Sequence, residues 1–317
     1  MTRSDQYLVK QLYFVDDESG PAPLSSTSRS EQMGSKEKMW VQDAHSGEEW
    51  LLKFARAGTG ENWSEKIAAE VAALLDIPHP MVELGVLDGR PVSLTKNFLV
   101  SHQELVHGNE LLFRTDPNYP FEKQTRSAEH TVTAVRDVLD LFRVEVSATW
   151  RDRGLSAFGL FVGYLLLDAL LGNTDRHHEN WGIIVTAEGR VRRSELAPSY
   201  DHASSLGREL KDERRAEMMT TADQRGNVQA YCSRALSALY RAGETNKPLS
   251  CTGAFQHACE LDQFAADYWL KTAGAVDPAA LQDIVERTPN STMSDQAKEF
   301  ATAMMKNRLQ SLLDLKR

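Results

Sequence analysis

Cysteine is scarce in this sequence, and the cysteines that occur are not spaced for a shared site. Three are present among 317 residues, Cys232, Cys251 and Cys259. A zinc site or a thiol redox motif needs a C-x-x-C pair or a Cys/His cluster, and a disulfide framework needs more cysteines in a shorter chain. Neither pattern occurs, so we expect a protein of a reducing compartment without structural zinc.

Long hydrophobic runs are missing as well. The longest apolar stretch, residues 158–172, is too short to span a bilayer and includes Asp168. The N-terminus also lacks the order of basic, apolar and small residues that marks a signal peptide. We therefore expect a cytoplasmic protein with no membrane span.

Positive charge is not in excess. Lys and Arg together number 36 against 45 Asp and Glu, which gives a formal net charge of -9. A protein that binds nucleic acid without regard to sequence needs a clustered basic surface that displaces counterions from the phosphates. We therefore expect no direct binding of nucleic acid.

The remaining composition, 41% hydrophobic and 26% charged residues, is that of an ordinary globular protein. Residues 1–100 predict short strands and one helix over 62–77, whereas the Pro/Ser-rich segment 16–32 predicts a loop. Residues 101–317 predict mainly helices, and the segment 158–172 is apolar nearly all round, as in a buried helix. We predict an α+β fold of two lobes, a small antiparallel-sheet lobe in residues 1–100 and a larger helical lobe in residues 101–317.

A lysine interrupts the apolar part of the strand predicted at residues 48–55. An unpaired ammonium in the core is costly, so Lys53 either points to solvent from an edge strand or meets an anion. In phosphoryl-transfer enzymes a strand lysine of this kind reaches a nucleotide phosphate and is held by a helix carboxylate. Glu65 and Glu70 of the following helix are both candidates for that carboxylate, on different faces because five residues turn a helix by about 500°.

A glycine lies immediately before the strand that precedes Lys53. Gly34 would let backbone N–H groups approach a phosphate without a Cβ in the way, and Ser35, Lys36 and Lys38 add donors and positive charge. The segment matches neither of the two standard glycine-rich nucleotide motifs, GxGxxG and GxxxxGK[ST]. A phosphate loop and a surface turn therefore both explain it.

Polar and charged residues are concentrated in the junction between the apolar segment 158–172 and a predicted hairpin at 182–198. Asp175 and Asn180 have the D-x-x-x-x-N spacing of the base and the metal-binding Asn in kinase catalytic loops. Asp201 follows the hairpin, where a kinase has its principal metal ligand. The order of glycine loop, strand lysine, helix glutamate, catalytic Asp, Asn and metal Asp is the kinase order throughout.

These motifs resemble those of the HipA-like kinase family, whose pattern is roughly G-N-x-D-R-H-x-x-N, a short hairpin, and then L-A-P-x-Y/F-D. The matching residues are Gly172, Asn173, Asp175, Arg176, His177, Asn180, Leu196, Ala197, Pro198, Tyr200 and Asp201. The compact size and the segments 34–40 and 105–112 are most similar to the short CtkA-type branch of the family. The resemblance covers nearly the whole chain and is strongest over residues 167–207.

The resemblance implies a bilobal, atypical protein-kinase-like fold that uses ATP and Mg²⁺ to phosphorylate Ser or Thr of a protein. Asp175 would be the catalytic base, Asn180 and Asp201 the Mg²⁺ ligands, and Lys53 the phosphate-binding lysine. Glu65 aligns best with the helix glutamate of the family.

The same resemblance assigns further residues around the nucleotide and the catalytic loop. Asn97, Phe98 and Leu99, in a segment that ends at Val100, would form the hinge against the adenine. We expect Arg176 and His177 to hold the loop in place through hydrogen bonds, and His178 and Glu179 to be exposed.

The acceptor and its regulation are left open by the sequence. HipA-type toxins often carry a phosphorylatable Ser three residues before the loop glycine, where this chain has Glu31. Ser28, Ser30 and Ser35 lie in the same segment and are the candidates for autophosphorylation. A lipid or small-molecule kinase of the same fold, and a nucleotide-binding regulatory module without turnover, are the alternatives to a protein kinase.

Overall fold

A barrel of short strands forms the first part of the protein. The computed structural model describes residues 6–14, 23–26, 37–123, 127–188 and 191–315. Its first six strands, β1 to β6, are Val9–Phe14, Pro23–Ser26, Lys38–Asp43, Glu49–Phe54, Val82–Leu87 and Arg90–Lys96. They close into a barrel in the order β1-β2-β3-β4-β6-β5.

The barrel is a mixed sheet rather than a wholly antiparallel one. Strand β1 runs parallel to both β2 and β5, whereas the remaining neighbours are antiparallel. Two parallel strands cannot be joined by a tight hairpin. Their pairing therefore depends on contacts between segments far apart in the chain, which no local turn signal predicts. Strand β2 also lies inside the segment predicted as a loop, and the loop prediction is wrong there. Its pairing with β3 satisfies its backbone, and Pro23 occupies the first strand position, where proline is tolerated.

Side chains along β4 alternate between the barrel core and the opposite face of the sheet, which carries Lys53. Trp50, Leu52 and Phe54 are buried in the barrel interior with residues such as Val41. Because successive side chains of a strand point to opposite faces, Lys53 lies on the outer face. Helix α1 (Glu61–Leu74) follows β4.

The rest of the described chain is mainly helical. Helices α2 to α11 are Gly108–Thr115, Val132–Leu141, Ala148–Asp152, Ala157–Leu171, Asp212–Thr220, Val228–Arg234, Cys251–Leu261, Gln263–Gly274, Pro278–Glu286 and Asp295–Asp314. Three strands, β7 (Gln103–His107), β8 (Gly182–Glu188) and β9 (Val191–Leu196), form a separate antiparallel sheet in that order. The prediction of an α+β fold with a small sheet-rich N-terminal region and a helical C-terminal part is confirmed.

Helix α5 is the centre of the large core. All of its residues are buried, as the apolar composition of this segment predicts. Gly172 ends the helix with a left-handed φ of 68°, and a Cβ there would lie 2.9 Å from a guanidinium nitrogen of Arg308. Glycine is therefore required where the chain turns sharply out of α5 into the polar loop. Among the helices of the described residues, none is long and apolar enough to cross a membrane.

Candidate active site

A buried ion pair holds the loop that follows α5. Arg176 is fully buried and donates through Nε and Nη2 to the two carboxylate oxygens of Asp168, both at 2.7 Å. It also donates to the carbonyl of Asn180 at 2.7 Å and to the hydroxyl of Ser199 at 2.9 Å. One side chain thus joins α5, the loop and the segment before Asp201. The predicted role of Arg176 in holding the loop is consistent with this geometry. The sequence did not point to Asp168 as the partner of Arg176, because Asp168 lies inside an apolar helix.

Asp175 and Asn180 are joined to each other within the same loop. The side-chain amide of Asn180 donates to the carbonyl of Asp175 at 2.7 Å, and the backbone N–H of Asp175 donates to Oδ1 of Asn173 at 3.1 Å. An amide binds a hard cation through its oxygen, and the hydrogen bond of Nδ2 fixes the orientation of the Asn180 amide and hence of Oδ1. The loop therefore presents a carboxylate and an amide oxygen at fixed positions.

The strand lysine meets the carboxylate that follows the second sheet. Nζ of Lys53 lies 3.2 Å from Oδ2 of Asp201, and their side chains are 11% and 29% exposed. The solvent-facing edge-strand alternative for Lys53 is wrong, because β4 lies between β3 and β6 and the side chain is largely covered. Asp201 has a positive φ of 57°, a conformation that Asp tolerates better than most residues. Such backbone outliers are concentrated at functional sites.

Lys38 is the cross-strand neighbour of Lys53. The two residues are directly opposite in the β3–β4 ladder, so their side chains share one face of the sheet. Like charges in this arrangement disfavour the sheet unless an anion lies nearby. The other predicted phosphate-loop residues, Gly34, Ser35 and Lys36, and the hydroxyls of Ser28 and Ser30, lie outside the described residues.

The two glutamates of α1 have different surroundings. Glu65 is 1% exposed and its Oε1 lies 3.9 Å from Nδ1 of His202, beside Asp201. Glu70 accepts from Lys66 at 2.7 Å and from Arg287, after α10, at 3.1 Å. Glu65 is thus on the side of the helix that faces the site, whereas Glu70 pairs with Lys66 within α1 and ties the helix to Arg287 in the C-terminal region.

His202 connects Glu65 to the buried arginine. Its Nε2 lies 2.8 Å from the hydroxyl of Ser199, which also receives a hydrogen bond from Arg176. Burial, and then the charge of Arg176, hold the pKa of His202 well below its usual range, so the ring is neutral. The neutral ring carries one proton, and its two nitrogens face different partners, Nε2 the hydroxyl of Ser199 and Nδ1 the carboxylate of Glu65. No local pattern marked His202 as more than a neighbour of Asp201.

The predicted hinge lies beside the residue that precedes Asp201. Asn97 donates from Nδ2 to Glu49 at 2.9 Å and accepts the N–H of Leu99 at 3.0 Å, which gives the connection after β6 a fixed shape. The ring of Phe98 stacks on Tyr200 with a centroid distance of 5.8 Å. Tyr200 in turn donates its hydroxyl to the carbonyl of Glu179 at 2.9 Å.

The expectation that His178 is exposed is wrong. His178 is 1% exposed, and its Nδ1 lies 2.8 Å from the hydroxyl of Tyr119. Burial lowers its pKa to about 4, and burial lowers the pKa of the neighbouring His130 to about 3. Tyr119 and His130 come from distant parts of the chain, so sequence spacing could not reveal these contacts. Glu179 is partly buried, and its carbonyl accepts from Tyr200.

A family model matches the greater part of the chain. Residues 31–294 match the model described as the HipA-like C-terminal domain. This chain belongs to the HipA-like family. The loop that contains Asp175 and the segment that ends at Asp201 are both inside the matched range.

Individual relatives agree with that membership. The chain is 24% identical over 253 residues to the serine/threonine-protein kinase CtkA of Helicobacter pylori (strain J99), a match that covers 80% of this chain and 71% of the relative. The crystal structure of the H. pylori proinflammatory kinase CtkA superimposes with a TM-score of 0.67 at 20% identity, over 90% of this chain and 92% of CtkA. The chain is therefore related to a Ser/Thr kinase and has a kinase-like fold.

A second solved structure resembles the same fold. HipA of Shewanella oneidensis MR-1, solved with HipB and its operator DNA as a toxin–antitoxin system, matches with a TM-score of 0.55 at 14% identity. The match covers 90% of this chain and 64% of that HipA chain. The common fold thus extends to a toxin–antitoxin member of the family.

Proposed function

We propose that this HipA-like protein is a protein kinase that transfers the γ-phosphoryl group of ATP, with Mg²⁺, to Ser or Thr. The observation that carries the proposal is the 3.2 Å contact between Lys53 and Asp201, two residues far apart in the chain. A lysine that is largely covered needs an anion, and the anion beside Lys53 is the carboxylate of Asp201. The boundary between two kinase lobes would lie near residue 100.

The residues around this contact fit a divalent cation. Among the described residues, no group of three or more His, Cys, Asp or Glu forms a metal site by itself. Mg²⁺ at a nucleotide is usually held by one or two protein oxygens together with the phosphates. Asn180 and Asp201 would supply an amide oxygen and a carboxylate oxygen, both hard ligands. When bound, the ion would neutralise charge on the phosphates.

The chemical step assigned to the protein is proton removal and alignment. The oxygen of the acceptor hydroxyl attacks the γ-phosphorus, its proton passes to the carboxylate of Asp175, and the bond to the β–γ bridging oxygen breaks to release ADP. Lys53 would hold the phosphates in line for this attack, and Lys38 adds positive charge on the same face of the sheet. Glu65 lies beside His202, next to the Lys53–Asp201 pair, and would keep Lys53 and His202 in place.

The adenine would lie against Asn97, Phe98 and Leu99. The stacked rings of Phe98 and Tyr200 place an aromatic surface next to Asp201. Such a surface binds a flat base through stacking. Gly34, Ser35 and Lys36 would add backbone N–H donors and positive charge for the phosphates.

The acceptor is proposed to be Ser or Thr of a protein, which includes this chain itself. The support is the name of the H. pylori relative, a serine/threonine-protein kinase. The test is incubation of the purified protein with γ-labelled ATP and Mg²⁺, followed by mass-spectrometric mapping of labelled residues in the protein and in a mixed peptide library. We expect label on Ser or Thr.

Two variants and their controls make the test specific. Lys53→Met and Asp175→Asn are expected to lower transfer at least about a hundredfold, because they remove the phosphate contact and the base. Lys306→Met and Asp137→Asn alter exposed residues that contact Gln282 and Arg136, and they should transfer like the parent. Label that is absent from the parent, or that is equal in all four variants, would contradict the proposed function.

A further inference from the structure

The carboxylate of Asp175 accepts a hydrogen bond from a serine that no motif singled out. Oγ of Ser204 donates to Oδ2 of Asp175 at 3.4 Å, and Nη2 of Arg208 donates to the same serine oxygen at 3.1 Å. The N–H of Thr174 also donates to the carbonyl of Ser204 at 3.2 Å. Backbone and side-chain contacts therefore join Ser204 to the loop of Asp175.

The direction of these hydrogen bonds is fixed by chemistry. A guanidinium has only donors, and an ionised carboxylate has only acceptors. A hydroxyl between them must accept from Arg208 and donate its single proton to Asp175. Because the guanidinium cannot accept, the proton of Ser204 does not point to Arg208, and the carboxylate of Asp175 is an acceptor within reach.

Arg208 is itself held by helix α1. Its Nη1 donates to Oε1 of Glu61 at 2.8 Å, and its carbonyl accepts the N–H of Gly60 at 2.9 Å. Glu61 is 3% exposed, so this ion pair is covered on the carboxylate side. A continuous set of contacts therefore extends from the start of α1 through Arg208 and Ser204 to Asp175.

We propose that Ser204 is a positioning residue for Asp175. Its hydroxyl holds one carboxylate oxygen and so fixes the plane of the carboxylate, which directs the other oxygen at the acceptor hydroxyl. The separation of 3.4 Å is long for an O–H···O bond, but hydrogen bonds at catalytic groups often shorten only when the substrate is bound. The proposal rests on the proposed kinase function.

The neighbouring serine provides a matched control. Ser205 is 1% exposed, and within the described residues its hydroxyl makes no hydrogen bond. The full-length Ser204→Ala, Ser204→Thr and Ser205→Ala proteins are compared with the parent in steady-state transfer from γ-labelled ATP to a peptide acceptor. The unfolding midpoint and the KM for ATP are measured in parallel.

We expect Ser204→Ala to lower kcat by about tenfold to a hundredfold with little change in the KM for ATP, because a misplaced catalytic group loses alignment rather than nucleotide contacts. Ser204→Thr keeps the hydroxyl and should recover most of kcat, and Ser205→Ala should match the parent. If Ser204→Ala is unstable, the comparison is made between Ser204→Thr and Ser204→Val. Valine has the shape of threonine but no hydroxyl.

Any one of four results would overturn the proposal while leaving the kinase function intact. Two concern kcat: a value for Ser204→Ala equal to that for Ser205→Ala, or a Ser204→Thr protein as slow as Ser204→Ala. The other two are an effect of Ser204→Ala on the KM for ATP alone and phosphate found on Ser204 of the active parent. A parent protein that transfers no phosphoryl group at all would instead refute the proposed function, and the positioning role with it.

Discussion

Replacement of Asp168 by Asn is expected to destabilise the protein strongly. Arg176 is fully buried, and Asp168, which is 3% exposed, is the carboxylate that receives two of its hydrogen bonds. Removing one partner of a buried ion pair leaves an uncompensated charge and costs about 3–5 kcal/mol. The remaining acceptors of Arg176, the carbonyls of Asn180 and Tyr200 and the hydroxyl of Ser199, are neutral and cannot replace the carboxylate.

Urea unfolding at pH 7.5, followed by circular dichroism, measures this loss of free energy of unfolding. The control is Asp137→Asn, whose partner Arg136 is on the surface of α3, and an exposed pair of this kind contributes roughly 0–1 kcal/mol. A loss below about 1 kcal/mol for Asp168→Asn, or one equal to the control, would refute the reasoning. It would mean that water or a loop movement solvates Arg176, and that the pair does not hold the loop of Asp175.

Two further predictions concern pH and the cation site. Burial lowers the pKa of His130 to about 3 and of His178 to about 4, and it also lowers the pKa of His202, so all three rings are neutral in the folded protein. In the unfolded chain the same three histidines bind protons below about pH 6.5. The free energy of unfolding should therefore fall between pH 6.5 and 4 by up to about 1.4 kcal/mol per pH unit for each ring. Equal urea midpoints at pH 7.5 and 5.5 would contradict this. Asp201→Ala should lower kcat by several orders of magnitude while the calorimetric Kd for ATP changes much less. Near-parental turnover of that variant would exclude Asp201 as a cation ligand.

Local features of the site were predictable because neighbours in the chain encode them. The apolar composition of 157–171 required a buried helix, and Gly172 supplies the left-handed residue that ends it. The spacing of Asp175 and Asn180 places both in one short loop, where the structure joins them by a hydrogen bond. These relations depend on a few consecutive residues and on backbone geometry alone.

The pairings between distant residues depend on the tertiary structure. Two carboxylates of α1 satisfy the same sequence pattern, and only the packing of the helix places Glu65 beside His202 and Glu70 beside Lys66 and Arg287. The parallel pairing of β1 and the burial of His178 are also outcomes of packing between segments that no local turn or period connects.

The chemical groups of the candidate site, their order along the chain and the helices and strands that carry them could be inferred from the sequence. Which of these groups meet is a result of the fold, as in the contact of Lys53 with Asp201 and of Ser204 with Asp175. Propensity and periodicity act over a few residues and contain no information on such distant pairs. Burial makes a charge or hydroxyl depend on whichever partner the packed chain brings within about 3 Å.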